Sequence, residues 1–305
     1  MQITINNYFL SLHLAALFIL FGLHFYRILS IIVKIMISIR KPLAFIYRDF
    51  INETSYKLAF LMELLGIFFS VLSLFFLSKL FGQAVIPHLK PYGGSYFSFV
   101  LIGIAFSSYL QVSLRTFSGS IRGAQTTGTL EALLVTQTGI PTIIISSSLY
   151  SFIHTSFRVV AYLLLGLLLF GVSMRGANIL AAVLILALTI ITFSSIGIIS
   201  ASFIMVIKRG DPATWIFTSL SWLLGGVIYP ISILPGWLQK FSYLLPITHS
   251  LEGMRLALLK GFSTSALLPH ILVLALFSVV LLPLSVGLFG YGVKRAKIDG
   301  SLTHY

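Results

Sequence analysis

Cysteine is absent from this chain. That excludes disulfides, thiol nucleophiles and cysteine-based metal centres. Charge is scarce as well: 9% of the 305 residues carry it, against roughly 25% in soluble domains. Acids are scarcest, seven against 20 Lys and Arg. No GxxxxGK[ST] loop is present, so the chain does not bind ATP in that way. There is no HExxH, no GxSxG and no pair of intramembrane Asp, which argues against an intramembrane hydrolase. The seven histidines are scattered, and His154 and His249 read as polar packing or capping groups rather than metal ligands. No catalytic residue and no metal site is assigned. Residues 1–7 carry no Lys or Arg, and no small-residue cleavage site follows the first apolar run, so no cleavable signal is expected.

What the chain has instead is apolar bulk: 58% hydrophobic residues and a mean hydropathy of +1.03. No soluble fold of this length hides so much apolar surface, so the expected class is an all-α polytopic membrane protein. A hydrocarbon core of about 30 Å takes about 20 apolar helical residues to cross. Six stretches satisfy this: about 58–81, 95–117, 141–172, 177–206, 213–232 and 267–292. A seventh, about 8–26, carries His13 and His24 and is a marginal extra N-terminal hydrophobic helix.

The net charge of +13 suits basic loops facing anionic lipid rather than nucleic acid. If the six spans alternate, Arg40, Lys41, Arg48, Lys57, Arg115, Arg122, Lys208, Arg209, Lys294, Arg295 and Lys297 fall on one side, taken as cytosolic. Lys79, Lys90, Arg175, Lys240, Arg255 and Lys260 fall on the other. A multi-pass protein of the cell membrane (the inner or plasma membrane) follows. "RILSIIVKIMISIRK" (27–41) sets Arg27, Ser30, Lys34, Ser38 and Lys41 at steps of three or four, a narrow cationic stripe for the headgroup region. After Pro42, "LAFIYRDFINETSYK" gathers Leu43, Ile46, Tyr47 and Phe50 on one face, away from Arg48 and Asp49. It reads as an interfacial helix, with a cytosolic connector as the alternative. The domain plan is an N-terminal extension over 1–41, a transmembrane domain over 42–297 and a cytosolic tail over 298–305.

Between the second and third spans lies "GTLEALLVTQTG" (128–139). Thr127 and Gly128 can start a helix, Glu131 suits its first turn, and Leu130, Leu133 and Leu134 share a face. Spacing alone leaves that face to lipid, to the rest of the chain or to a separate partner. A second stretch, "GGVIYPISILPGWLQKFSYLLPITHSLEGMRLALLKG" (225–261), is broken by Gly225, Gly226, Pro230, Pro235 and Pro246. Pro removes backbone donors, and broken helices at membrane depth occur only where buried in protein or lining a cavity. Two short outward-side helices are expected here, about 235–244 and 249–260, with Thr248 or Ser250 capping the second. Trp237 and Tyr243 suit an interface. An ordinary folded external loop is the alternative.

Together, "GTLEALL", the Gly-Gly and Pro break, "LPGWL" and the later "LP" with Arg255 resemble the ABC transporter type-2 permease family over about 42–297. The chain departs from the family pattern in having "IRGAQTT" rather than acids before the first motif, and Gln137 where Pro is common. The resemblance implies the membrane subunit of an ATP-driven exporter. Gly128, Thr129, Leu130, Glu131, Leu133 and Leu134 would couple it to ATPase subunits, and Arg48, Asp49 and Phe50 would belong to the interfacial helix. Residues 225–261 would form a re-entrant pair closing the outward end, with Gly225, Gly226, Pro230, Pro235, Trp237, Pro246 and Arg255 as gate residues. The implied partners are two copies of an ABC ATPase, which would hold ATP and Mg, and a second permease taken as identical. This chain would bind no cofactor itself.

Charges near the bilayer centre cost about 2.5–3.5 kcal/mol on insertion scales, so such groups face the bundle interior. Glu63 is expected as a snorkelling or locally paired group, as a gate residue, or as a partner for Arg115 or Arg122. Arg158 is expected to meet an interior acid, backbone carbonyls or an anionic headgroup. Tyr109, Gln111 and Ser113 are candidates for the same pathway. The expected substrate is amphipathic: drug-like, lipid or lipid-linked glycan. An ATP-independent secondary transporter is the alternative.

Overall fold

The computed structural model describes residues 42–44, 46–51, 56–126, 140–207 and 212–298. Every regular element among them is helical. The long helices are α1 (Lys57–Leu89), α2 (Tyr96–Thr126), α3 (Ile140–Phe170), α4 (Ile179–Ile207) and α8 (Leu268–Ile298). Between α4 and α8 lie three shorter ones: α5 (Pro212–Leu224), α6 (Gly236–Tyr243) and α7 (Pro246–Lys260). Five helices are long and apolar enough to cross a membrane, and they coincide with five of the six apolar runs. Residues 42–44 and 46–51 are helical too, and Leu43, Tyr47 and Phe50 are exposed, as an interfacial helix requires. The 8–26 and 27–41 runs lie outside the described residues, as do 127–139 and 299–305.

The sixth run behaves differently. Expected to span 213–232, it is helical only over Pro212–Leu224. Thirteen residues rise about 20 Å, short of the hydrocarbon core. The Gly225 N–H makes the last i→i−4 bond, to the Ser221 carbonyl (2.9 Å), and the helix stops because Gly226 then adopts φ +69°, a left-handed conformation open to glycine. Pro230 then holds the chain extended, a single 3-10 turn over Ile231–Ile233 follows, and Pro235 leads into α6.

α2 is the hub. It packs against α1, α3, α4 and α7, and 78% of its membrane window is buried, against 11% for α1. Without a hydrophobic drive between helices in lipid, close packing rests on small residues and hydroxyls. Both are present. Tyr109 Oη donates to Ser156 Oγ between α2 and α3 (2.8 Å), Thr189 pairs with Ser250 between α4 and α7 (2.7 Å), and Thr192 with Ser278 between α4 and α8 (2.9 Å). Where α4 crosses α2, a Cβ on Gly197 would fall 2.2 Å from the Ser113 carbonyl oxygen and 2.9 Å from the Phe117 ring. Backbone cannot yield there. Gly197→Ala is therefore expected to cost about 1–3 kcal/mol, read as a lower melting temperature in detergent; an unchanged melt would place the close approach elsewhere.

Candidate functional site

At the end of the bundle where the cations gather, α1 brings Glu63 against α3. Arg158 Nε lies 3.1 Å from Glu63 Oε1, and His154 Nε2 lies 3.2 Å from Oε2. His154 and Arg158 are four residues apart, hence one above the other on a single face. Glu63 is thus a paired group, but its expected partner Arg115 is corrected: α1 packs on α3 at this level, and Arg115 on α2 faces a cavity instead. The Arg122 side chain lies outside what is described. His154, expected as a polar packing or capping group, packs against the Glu63 carboxylate. Arg158 meets an acid, one of its expected fates. The pair is half-buried, which limits the desolvation that isolated intramembrane charges incur.

The cavity measures about 650 Å³ and lies between α2 and α3, with Trp222 of α5 and Asp49 of the interfacial helix at its edges. Gln111, Arg115, Tyr150, His154 and Arg158 line it. Gln111, a pathway candidate, lines this cavity. Tyr109 and Ser113 do not. Both are buried in the bundle core, because they project from other faces of α2, toward α3 and α4. Arg48 pairs with Asp49 at 2.7 Å, and Phe50 lines a second, apolar groove of about 500 Å³. Lys57 and Phe60 of α1 and Ile153 and Phe157 of α3 complete that groove. The two spaces share Tyr150 and His154.

At the other end, Arg255 of α7 is buried, with 3% exposure. Its Nε donates to the Phe99 carbonyl (3.1 Å) and its Nη2 to the Val227 carbonyl (2.9 Å), while the guanidinium stacks 3.4 Å from the centre of the Phe99 ring. This joins α2, the break after α5, and α7. Gly103 makes the room: a Cβ there would sit 2.0 Å from the Val227 oxygen and 2.4 Å from Arg255 Nη2. One turn before Arg255, Glu252 accepts from Tyr92 Oη (3.2 Å). Burial first, and the Glu252 charge second, push the Tyr92 phenol above its ordinary pKa, so it remains a donor.

Gly225, Gly226, Pro230 and Pro235 form the break, and Pro246 starts α7 after Leu245. Thr248 and Ser250, expected as caps, are not. Thr248 Oγ1 donates to the Ser242 carbonyl (2.7 Å), tying α6 to α7, and Ser250 pairs with Thr189. Pro at the first helical position removes one N–H that a cap would serve. Trp237 and Tyr243 are exposed on α6. Phe99, Val227, Gly103 and the Tyr92–Glu252 bond were not foreseen. Gly103 inside an apolar run was the one available signal, since glycine there marks a close approach.

Gly128, Thr129, Leu130, Glu131, Leu133 and Leu134 lie outside the described residues. The segment holding them joins α2 to α3, the two helices that line the polar cavity.

Comparison with known proteins agrees with this architecture. Residues 43–259 match the family described as ABC-2 type transporter. Nodulation protein J of Sinorhizobium fredii (strain NBRC 101917 / NGR234) is 35% identical over 99 residues, 30% of this chain and 37% of that protein. The match to that relative thus spans well under half of its length. A family match from residue 43 through α1 to α7, on a chain with five helices long and apolar enough to cross a membrane, leads to one assignment: this chain belongs to the ABC-2 type transporter family, as a multi-pass transmembrane permease of the cell membrane.

Proposed function

We propose that the chain is the membrane subunit of an ATP-driven exporter, acting as a pair of permeases, taken as identical, with two separate ATPase subunits that hold ATP and Mg. The family match over 43–259 carries this reading. The lack of a phosphate loop in the sequence supports placing ATP on other chains. Five membrane-crossing helices and the shorter α5 do not by themselves enclose a two-sided pathway with two coupling points, which supports the pairing. The cargo is amphipathic, in keeping with a polar cavity that adjoins an apolar groove. A secondary transporter would use a free carboxylate deep in the bundle, whereas Glu63 is engaged by Arg158 and His154.

The test is purification of the tagged chain from its native cells in mild detergent, with mass spectrometry of what accompanies it. A stoichiometric soluble protein carrying a phosphate loop is expected. A chain that arrives alone, even after crosslinking, refutes the reading.

A further inference from the structure

We propose that the polar cavity and the apolar groove are one two-part site for an amphiphile with an anionic phosphate head. The head sits against Arg115, Arg158 and His154, and the acyl chain lies along Phe60, Ile153 and Phe157. The proposal rests on the permease reading above and names the chemistry of its cargo.

Charge is the first argument. Two guanidiniums and an imidazole converge on the same cavity. Glu63 offsets Arg158, and Arg48 offsets Asp49, the carboxylate on the cavity's edge. Among the described residues no carboxylate lies within ion-pair distance of Arg115. A net positive cavity is left, with Lys57 adding a further cation at the groove. Guanidinium is the group best shaped to grip a phosphate through paired N–H donors.

Shape is the second argument. About 650 Å³ is the size of a small-molecule site and too small for a folded partner. A free anion would have no use for the adjoining groove. A neutral apolar compound would have no use for the arginines. The groove runs between the start of α1 and the middle of α3, and α1 is the long helix least covered by protein. In the single chain the groove therefore opens on the surface that α1 presents. Arg115 stands four residues from the end of its span, Tyr96–Gly119, where a lipid headgroup would be met. An amphiphile already in that leaflet reaches the site by sliding sideways, its head staying at constant depth.

Trp222 lines the cavity and supplies a reporter that needs no transport. Trp215→Phe with Trp237→Phe leaves it the sole tryptophan, since the chain has three. The full-length chain in micelles is titrated with phosphatidylglycerol or phosphatidylcholine bearing a nitroxide near the head end of an acyl chain. Saturable quenching by phosphatidylglycerol is expected, at a half-saturating mole fraction about fivefold lower than for phosphatidylcholine, the span of one modest ion pair. Arg115→Gln should remove that preference and Arg115→Lys should keep most of it. Arg115 is exposed, so neither change threatens folding. Glu63→Gln with Arg158→Gln, which leaves no charge unpaired between them, should weaken the preference as well. Equal quenching by the two lipids, or a preference that survives Arg115→Gln, overturns the proposal. So does displacement of the labelled lipid by millimolar inorganic phosphate, which would mean that the head cavity acts alone. None of these readouts requires an ATPase. Failure here beside an ATPase that still co-purifies refutes the site and leaves the transporter reading standing.

Discussion

Arg255→Leu is expected to open the outward end of the molecule. The arginine closes a three-way joint between α2, the break after α5, and α7, and it does so through the Phe99 and Val227 carbonyls. Leucine fills part of the volume and donates nothing. Two buried acceptors then lose charged donors, each such bond contributing about 1.5–3 kcal/mol, and the stacking on Phe99 is lost with them. Two such bonds together set the scale at about 3–5 kcal/mol. That exceeds any other single change considered for the described helices. The cysteine-free sequence gives a clean readout. Val227, 1% exposed, is changed to Cys as the sole thiol, and its labelling by a membrane-impermeant maleimide is timed. With Arg255 present labelling should be slow; in Arg255→Leu it should be at least about tenfold faster, the rate counterpart of about 1.4 kcal/mol. Arg255→Lys keeps a charge but not the two-pronged geometry, and should fall between. Should Arg255→Leu not accumulate, Gly103→Ala makes the same test, because its Cβ pushes the Val227 carbonyl and the guanidinium apart. Unchanged labelling in both would mean that the outward end is held by other contacts, such as the Tyr92–Glu252 bond.

The expectations drawn from the sequence met the structure unevenly, for physical reasons. Apolar runs long enough to cross a bilayer admit one solution, so five spans fell within a few residues of their helices. The outward pair was legible too. Proline and glycine forced helix ends there, and 235–244 and 249–260 became Gly236–Tyr243 and Pro246–Lys260. The second moved earlier because Pro246 itself opens it. Rotation about a helix axis was scarcely legible. Tyr109 and Gln111 are two residues apart, about 200° around the helix, and only the i, i+4 pair of Gln111 and Arg115 marked a polar face on α2. Partners distant in sequence were hidden as well. Nothing in the spacing of Glu63 and Arg158 pairs them; the packing of α1 on α3 does. Arg255 binds backbone carbonyls, which carry no residue identity to read.

Leu133→Glu is the change with the largest expected functional effect. The reasoning joins a sequence pattern to a position in the fold. Leu130, Leu133 and Leu134 recur at helical spacing in "GTLEALL" and lie outside the described residues. What is described is where the segment is tethered: α2 ends at Thr126 and α3 begins at Ile140. Those two helices carry Gln111, Arg115, His154 and Arg158, so any push on the segment reaches the cavity walls directly. If the leucine face docks into an ATPase, a carboxylate at its centre must be buried without a partner, at a cost of several kcal/mol. About 3 kcal/mol weakens an interface more than a hundredfold. ATP-driven transport in vesicles should drop to background and the ATPase should no longer co-purify. The permease's own melting temperature should hold if the leucine face docks on the ATPase rather than within the permease. Glu131→Gln, which removes only a first-turn charge, should reduce transport by severalfold at most, in line with the 0.3–1 kcal/mol typical of such a charge. The contrast between the two separates a docked apolar face from a merely electrostatic contact. Transport and co-purification both unchanged in Leu133→Glu would refute coupling through this segment and assign its leucines to lipid or to the base of the permease.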